Sequence, residues 1–239
     1  MLKYKAVAQD IVQKITEGEY LPNDRLPTTP ELCEQYQVSK ITIKKAMDEL
    51  ELGGLIARRR GSGTYVKGLG TQQLENAPQG WSMSSQMGGY TKDHPGHEVG
   101  SHVYDFSVVR PPVMVADELG IQPDEFCYHV CRTRTLDGTP NVIEYTYMPI
   151  KVVPDLREHN VQTTIYGYIQ NDLGLKIASA HRTLEAVLVT DEEAQRLQVE
   201  PNSPALQVTQ VGFLDDGTAF EHSISRHVRG YKFFSISTV

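Results

Sequence analysis

Ser39-Lys40-Ile41-Thr42-Ile43-Lys44-Lys45-Ala46-Met47-Asp48-Glu49-Leu50 carries the strongest helical signal in the first quarter of the chain. Ile43, Ala46, Met47 and Leu50 recur at three and four residues, which predicts a helix with one buried face and with Lys40, Thr42, Lys44 and Lys45 outside. Ser39 stands where a side-chain oxygen caps the first turn. Upstream, Thr28 or Thr29 can cap a shorter helix with Pro30 in its first turn, Glu31 at the positive end of its dipole, and Leu32, Cys33 and Tyr36 inward. Further upstream, Ala6, Val7, Ile11, Val12 and Ile15 make the stripe of a first helix, stopped by Gly18 and Pro22. Downstream, Gly53-Gly54 ends the third helix. Residues 55–58 and 64–66 then read as two strands around Arg59-Arg60-Gly61-Ser62-Gly63.

Three short helices followed by a basic hairpin outline a winged helix-turn-helix, which reads duplex DNA. Lys40 and Thr42 at the start of the third helix can reach base edges or phosphates, and its first amides can add a phosphate contact. Lys44 and Lys45 would hold the backbone. Two glycines in the hairpin tip let the backbone approach a groove, with arginines supplying charge. Taken singly, each piece also fits a solvated basic helix or hairpin of a small helical domain; their order favours DNA.

Arg25-Leu26-Pro27, residues 38–47, Gly53-Gly54-Leu55-Ile56 and Gly61-Ser62-Gly63-Thr64-Tyr65-Val66 closely resemble the DNA-binding domain of GntR-type bacterial transcription regulators. The resemblance implies operator contacts by Arg25, Lys40, Thr42 and Lys44 and by the wing tip Arg60, Gly61, Ser62, Gly63 and Thr64; Ser39, Lys45 and Arg59 join them as candidate DNA-binding residues from the helix and hairpin reading. This chain departs from the family at Thr29-Pro30, where an acidic-basic pair is usual, and carries Lys40 and Lys44 for two expected arginines. Lysine cannot fork onto guanine as arginine does, so the resemblance carries the DNA function and not a base preference.

The 239 residues leave room for two domains, and 39% apolar with 22% charged residues is ordinary for a globular chain. No apolar run approaches the roughly twenty residues that span a bilayer, and residues 1–5 lead into an amphipathic helix, not a secretory core. Cys33, Cys127 and Cys131 make no disulfide pattern, which fits a reducing cytoplasm. The net charge of −7 is unevenly shared. Residues 1–67 carry 11 Lys and Arg against 9 Asp and Glu, and residues 68–239 carry 12 against 21. Only the first part suits phosphate; the acidic remainder suits a sensing and dimerising domain kept away from DNA.

Residues 68–80 have a polar, weakly periodic linker composition, and apolar patterning resumes at Trp81. Expected strands cover residues 103–109, 126–135, 141–148, 181–189, 205–214 and 219–227. Expected helices cover 113–119, 164–173 and 191–197, with turns at Asp137-Gly138 and Asp215-Asp216-Gly217. This predicts an α+β domain on a mainly antiparallel sheet over residues 81–239. Arg132 and Arg134, two apart on a strand, leave the same face and can converge on one phosphate or carboxylate, or else bridge surface acids. Glu144 and Glu221 could accept from sugar hydroxyls or an amine, or face solvent. Tyr166, His227 and the serines around Trp81 would complete a polar pocket; Tyr166 fits the core equally, and the serines a helix cap.

Leu119-Gly120, Arg132-Thr133-Arg134, residues 137–140 and 144–149, Thr164-Ile165-Tyr166 and residues 221–227 resemble the UTRA effector-binding domain of the HutC branch of those regulators. The match spans nearly all of residues 80–239. It implies a chorismate-lyase-like fold that binds small polar metabolites, often sugar phosphates or amino-sugar phosphates, with Arg132, Arg134, Glu144, Tyr166, Glu221 and His227 as effector contacts; Ser82 and Ser84 join them as candidates from the pocket reading. Val228-Arg229-Gly230-Tyr231 departs from the family, which commonly has an acidic residue there. The resulting expectation is a cytoplasmic, nucleoid-associated homodimer without cofactor or resident metal. It would act as a repressor of a carbohydrate or related catabolic operon.

Two rivals follow from other residues. Cys127, His129 and Cys131 share a strand face, near Asp93-His94, His97 and His102, and could sense a metal, although strand spacing splays ligands along the pleat. Buried apolar cysteines are the alternative. A lyase-like enzyme is the second rival; the chain has no nucleophile elbow, glycine-rich phosphate loop or paired-histidine motif, and a lyase has no use for the basic wing.

Overall fold

The computed structural model describes residues 2–59, 61–67 and 89–231, which fall into two compact units. The expected linker at 68–80, together with Arg60, Trp81, Ser82 and Ser84, lies outside the described residues.

In the first unit the helices are α1, Lys3–Thr16, α2, Thr29–Tyr36, and α3, Lys40–Leu52. Thr28, not Thr29, starts α2: Glu31 Oε2 accepts from the Thr28 amide at 2.6 Å and from its hydroxyl at 2.7 Å. Gln37 closes that helix in the left-handed region at φ 52°. Ser39 Oγ then accepts from the Thr42 amide at 3.3 Å and opens α3. The inward residues Val7, Ile11, Ile15, Leu32, Ile43, Ala46, Met47 and Leu50 form one core with Leu26, Leu55, Ile56 and Val66. The hairpin strands β1, Ile56–Arg59, and β2, Gly63–Val66, pair antiparallel from Ile56↔Val66 to Arg59↔Gly63. Leu55 stays out of β1 because its amide donates to the Leu50 carbonyl, closing the end of α3. The 23–26 loop lies on the other edge of β2, with the Leu26 amide donating to Thr64 O at 2.9 Å and an Arg25↔Tyr65 bridge.

The second unit begins with a short helix α4, Tyr90–Asp93, followed by strand β3, Val99–Val109, and helix α5, Val113–Leu119. The hairpin β4, Cys127–Leu136, and β5, Thr139–Pro149, turns on Asp137 and Gly138, both at positive φ. After it come α6, Glu158–Gln162, and α7, Ile165–Gly167, which runs into a π-helical turn, Tyr168–Asp172. Strand β6, Ile177–Leu188, helix α8, Asp191–Leu197, and strands β7, Pro204–Leu214, and β8, Ala219–His227, complete it. The six strands make one antiparallel sheet in the order β3-β4-β5-β8-β7-β6, an α+β fold.

Four differences from expectation have local causes. Strand β3 starts four residues early, at Val99-Gly100-Ser101-His102, where no apolar alternation signals a strand. Strand β6 likewise starts at Ile177 rather than 181. Helices α4 and α6, of four and five residues, are too short for periodicity to show. The expected helix at 164–173 is split into a turn of α-helix and a π turn, with Thr164 Oγ1 accepting from the Gly167 amide at 3.0 Å.

The sheet separates two apolar layers. On one side Val130, Met148 and Phe220 pack with Val153, Leu156, Val161, Ile165 and Ile169 from the long connection after β5. On the other, Cys131, Ile143 and Ala205 pack with Ala194 and Leu197 of α8, and Cys127 and Ala219 with Val115 and Leu119 of α5. Buried Glu193 of α8 is matched by the Tyr145 hydroxyl at 2.9 Å and by Arg226.

Candidate functional site

Strand register brings the expected polar residues of the second unit together. Arg134, Val142 and His227 form one cross-strand row, Arg132, Glu144 and Ser225 the next, and Thr146 and Ser223 the next, which Gln210 and Arg182 extend. Directly opposed residues project to the same face of an antiparallel sheet, so Arg132, Arg134, Glu144 and His227 share one.

Within that row system the charges are already partly matched. Arg132 Nε donates to Glu144 Oε2 at 2.7 Å, and its Nη1 donates to the Val161 carbonyl. Burial alone would raise the Glu144 carboxyl, but Arg132 and Arg134 outweigh it and hold Glu144 below the usual range. Glu144 thus faces an arginine, where a ligand hydroxyl was one expectation. Arg134 is 2% exposed and has no carboxylate within ion-pair distance among the described residues. Its Nη2 donates to Thr91 Oγ1 at 3.1 Å and its guanidinium lies over the Tyr90 ring, 5.3 Å from the centroid. Burial, then the neighbouring Arg132, pushes Arg134 down to about 10, which leaves it charged at neutral pH.

Glu221 is the acceptor at the centre of a second polar group. Ser223 Oγ donates to it at 2.7 Å, Gln210 Nε2 at 2.9 Å and the Tyr166 hydroxyl at 3.3 Å. Burial raises its carboxyl despite these bonds, and the nearby charge of Glu144 adds to the rise. Tyr166 is raised well above its ordinary value by burial, so it acts as a hydroxyl donor. Burial lowers His227 to about 4, and its Nε2 lies 3.1 Å from Ser225 Oγ. The Arg229 side chain, where the family pattern departs, donates to Pro140 O and to the last carbonyls after α8, Leu197 O and Gln198 O.

Sequence reasoning missed Gly89, Tyr90, Thr91, Gln210 and Ser223 in this neighbourhood. Gly89 sits at φ +77°, which strains any other residue, and a Cβ there would lie 3.2 Å from the Tyr166 ring, a tight approach that the ring would have to yield to. Tyr90 accepts from Asn141 Nδ2 at 2.8 Å. The Gly88-Gly89 pair was the one signal in the sequence that this segment makes a close approach.

The metal alternative finds no support. Cys127 packs in the α5 cluster and Cys131 in the α8 cluster, while His129 Nδ1 lies 2.7 Å from Asp105 Oδ2. Burial pushes the Cys127 thiol up to about 11 and raises Cys131 as well. Among the described residues no three His, Cys, Asp or Glu side chains are grouped to hold a metal.

In the first unit, Lys40, Lys44 and Lys45 are exposed along α3, and the Thr42 hydroxyl lies 3.0 Å from Ser39 Oγ at the start of the helix. Arg58 is held by Asp48 at 2.8 Å and Glu51 at 3.4 Å, both on α3. Arg59 is exposed with no ion-pair partner among the described residues. Ser62 Oγ is tied to the Tyr65 hydroxyl at 2.8 Å, which fixes the wing tip. Gly61 and Gly63 have φ of +74° and +132°, and a Cβ at Gly63 would come within 2.6 Å of Arg25 Nε. Arg25 therefore lies against the wing strand.

An exposed basic helix beside a glycine-tipped wing, together with a separate sheet carrying a buried polar cluster, defines a DNA-binding transcription regulator with an effector-type domain. Residues 3–66 match the model of the bacterial regulatory proteins, gntR family, and residues 94–231 match the UTRA domain, so the chain belongs to the UTRA-bearing GntR regulators. It is 34% identical over 95% of its length, and 94% of the relative's, to the HTH-type transcriptional regulator GmuR of Bacillus subtilis. It is 27% identical over 98% of its length, and 95% of the relative's, to the mannosyl-D-glycerate transport/metabolism system repressor MngR of Escherichia coli. The solved structure of the possible regulator YydK of Bacillus subtilis superposes with a TM-score of 0.68 at 30% identity, covering 95% of both chains. These relatives are regulators and not enzymes, and no helix among the described residues is long and apolar enough to cross a membrane.

Proposed function

We propose that the protein is a cytoplasmic repressor of a carbohydrate or related catabolic operon, bound to a palindromic operator as a homodimer and controlled by a small anionic, hydroxylated metabolite such as a sugar phosphate. The observation that carries this reading is the shared sheet face of Arg132, Arg134, Glu144 and His227, joined by Tyr166 and Glu221. It offers cations to an anionic group, and carboxyl, hydroxyl and amide groups to sugar hydroxyls. The relative named for a mannosyl-D-glycerate system, a sugar derivative with a carboxylate, supports the ligand class. Arg25, Ser39, Lys40, Thr42, Lys44 and Lys45, with wing residues 59–64, are the operator contacts in this reading. A single helix-and-wing unit reads a half-site, so a symmetric operator calls for a symmetric dimer through the second domain.

Ligand binding in the second domain shifts the dimer to a state with lower operator affinity. A hundredfold loss of affinity requires a preference of about 2.7 kcal/mol for the released state. The test is a thermal-shift screen of the full chain against sugar phosphates, amino-sugar phosphates, sugar acids and neutral sugars, followed by operator release with each hit. A ligand that binds only the folded state raises its melting temperature. An anionic sugar that stabilises the protein and releases DNA supports the reading. Stabilisation by neutral sugars alone, or by none of them, overturns the effector class.

A further inference from the structure

The two arginines of β1 leave the strand on opposite faces. Arg58 shares its face with Ile56, which is buried in the core of the first unit. Arg59 projects to the other side and is exposed without an ion-pair partner among the described residues. Arg58 instead reaches α3, where its Nη2 lies 2.8 Å from Asp48 Oδ1 and its Nε 3.4 Å from Glu51 Oε2. Asp48 and Glu51 stand three apart on α3, neighbours on one helix face, so one guanidinium reaches both carboxylates.

The two edges of the hairpin are braced differently. Strand β2 is flanked by the 23–26 loop, through the Leu26 amide at 2.9 Å from Thr64 O and the Arg25↔Tyr65 bridge. Strand β1 pairs with β2 alone among the described residues, and its one ionic hold on the rest of the unit is Arg58. A two-stranded hairpin is marginal by itself, so its outer part depends on such braces. On α3, Asp48 stands four residues after Lys44, the spacing of a helical ion pair, yet it engages Arg58. Lys44 has no ion-pair partner among the described residues, so the acid serves the wing and not the helix.

We propose that Arg58 is a positioning residue for DNA binding: anchored by Asp48 and Glu51, it fixes the wing against α3 without touching DNA itself. This rests on the DNA-binding class of the protein and not on the effector reading above. Two acids on the reading helix, which by themselves would repel phosphate, are thereby part of what makes the reading head. Side-chain exposures of 30% for Arg58, 44% for Asp48 and 39% for Glu51 leave the group partly open to solvent. That limits its effect to about fivefold in affinity for each head.

The experiment is fluorescence anisotropy of the full chain, over a salt series, on the duplex that wild type enriches from a random-sequence pool. The variants are Arg58→Met, Arg58→Lys, Asp48→Asn with Glu51→Gln, and Arg58→Met added to that pair, with helical content read by circular dichroism. Arg58→Met should weaken binding by at least about fivefold and keep its helices. Its slope of log affinity against log salt should stay within about 0.3 of wild type, because a lost phosphate contact lowers that slope by about one. Arg58→Lys, which still reaches a carboxylate, should recover most of the loss. Removing the two acids takes negative charge away from DNA, yet should weaken binding as much as Arg58→Met does, and adding Arg58→Met should cost nothing more. Tighter binding without the two acids overturns the tether. So does a slope lowered by about one in Arg58→Met, which would make the arginine a phosphate contact. An affinity in Arg58→Met within about twofold of wild type overturns it as well, since the brace would then carry less than a surface ion pair can. A fall in helical content in Arg58→Met also overturns it, by making Arg58 a residue of the fold.

Discussion

Replacing Arg132 by methionine should destabilise the second unit by about 3–5 kcal/mol, the range for a buried pair broken from one side. The pair is well shielded, with side-chain exposures of 8% for Arg132 and 17% for Glu144 at 2.7 Å, and the substitution also leaves the Val161 carbonyl without its donor. Each kcal/mol moves the melting point of a domain of this size by roughly 2–4 °C, so the expected loss is on the order of 10 °C. Adding Glu144→Gln removes the stranded charge and should recover most of that loss. The pH dependence has a definite sign. In wild type the carboxyl of Glu144 is held low, so its contribution is present at neutral pH and is lost as pH falls through the folded value. In Arg132→Met, burial is no longer outweighed by that arginine and the carboxyl rises, so mild acidification should protonate Glu144 and narrow the gap to wild type. Differential scanning calorimetry of the full chain at pH 7 and pH 5 measures all of this. A single variant that costs less than about 1 kcal/mol, or a double variant as unstable as the single, would refute the view of this pair as a buried, mutually dependent charge couple.

Other expectations concern both units. Lys44→Ala should weaken operator binding evenly across sequences and reduce the slope of log affinity against log salt by about one, read by fluorescence anisotropy from low to high salt. Gly63→Ala, strained at φ +132° and crowding Arg25 at 2.6 Å, should displace the arginine and impair DNA binding more than it lowers helical content by circular dichroism. Ser39→Ala should cost about 1 kcal/mol by removing the acceptor for the Thr42 amide, measured by urea unfolding. Because burial lowers His227 from 6.5 to about 4, its contribution is full above pH 6.5 and fades as pH falls toward 4, a loss of roughly 2 kcal/mol between pH 7 and 5. His227→Gln should flatten that part of the pH profile in urea titrations; an unchanged profile would remove His227 from the account. Glu144, His94 and Arg182 are the charged or titratable neighbours that act on it.

Much of the architecture was legible because the signals were local. Ile43, Ala46, Met47 and Leu50 announce α3 and its inner face, Ser39 its start, and Asp137-Gly138 the hairpin between β4 and β5. The helices at 113–119 and 191–197 and the strand at 219–227 fall where their periodicity and turn residues put them. Chemistry that depends on which strands become neighbours was not legible. Strand β5 pairs with β8, some seventy residues further on, and only that pairing sets His227 beside Val142 and Ser225 beside Glu144. Arg58 reads as wing charge in sequence, but folding places it against Asp48 and Glu51 on another element. The equivalence of Arg132 and Arg134 fails for the same reason: Glu144 lies opposite one of them and Val142 opposite the other.

The alternation of side chains along the sheet gives the polar cluster and the apolar layer under α8 separate sets of positions. Along β4, Arg132 and Arg134 face the polar cluster, while Cys131 belongs to the apolar layer under α8. On β5, Glu144 faces the cluster and Ile143 that same apolar layer. Substitutions at Arg132, Arg134 or Glu144 can therefore alter the polar cluster while the layer under α8 stays intact, and a one-residue insertion in either strand would turn charged groups into that layer and apolar ones out of it.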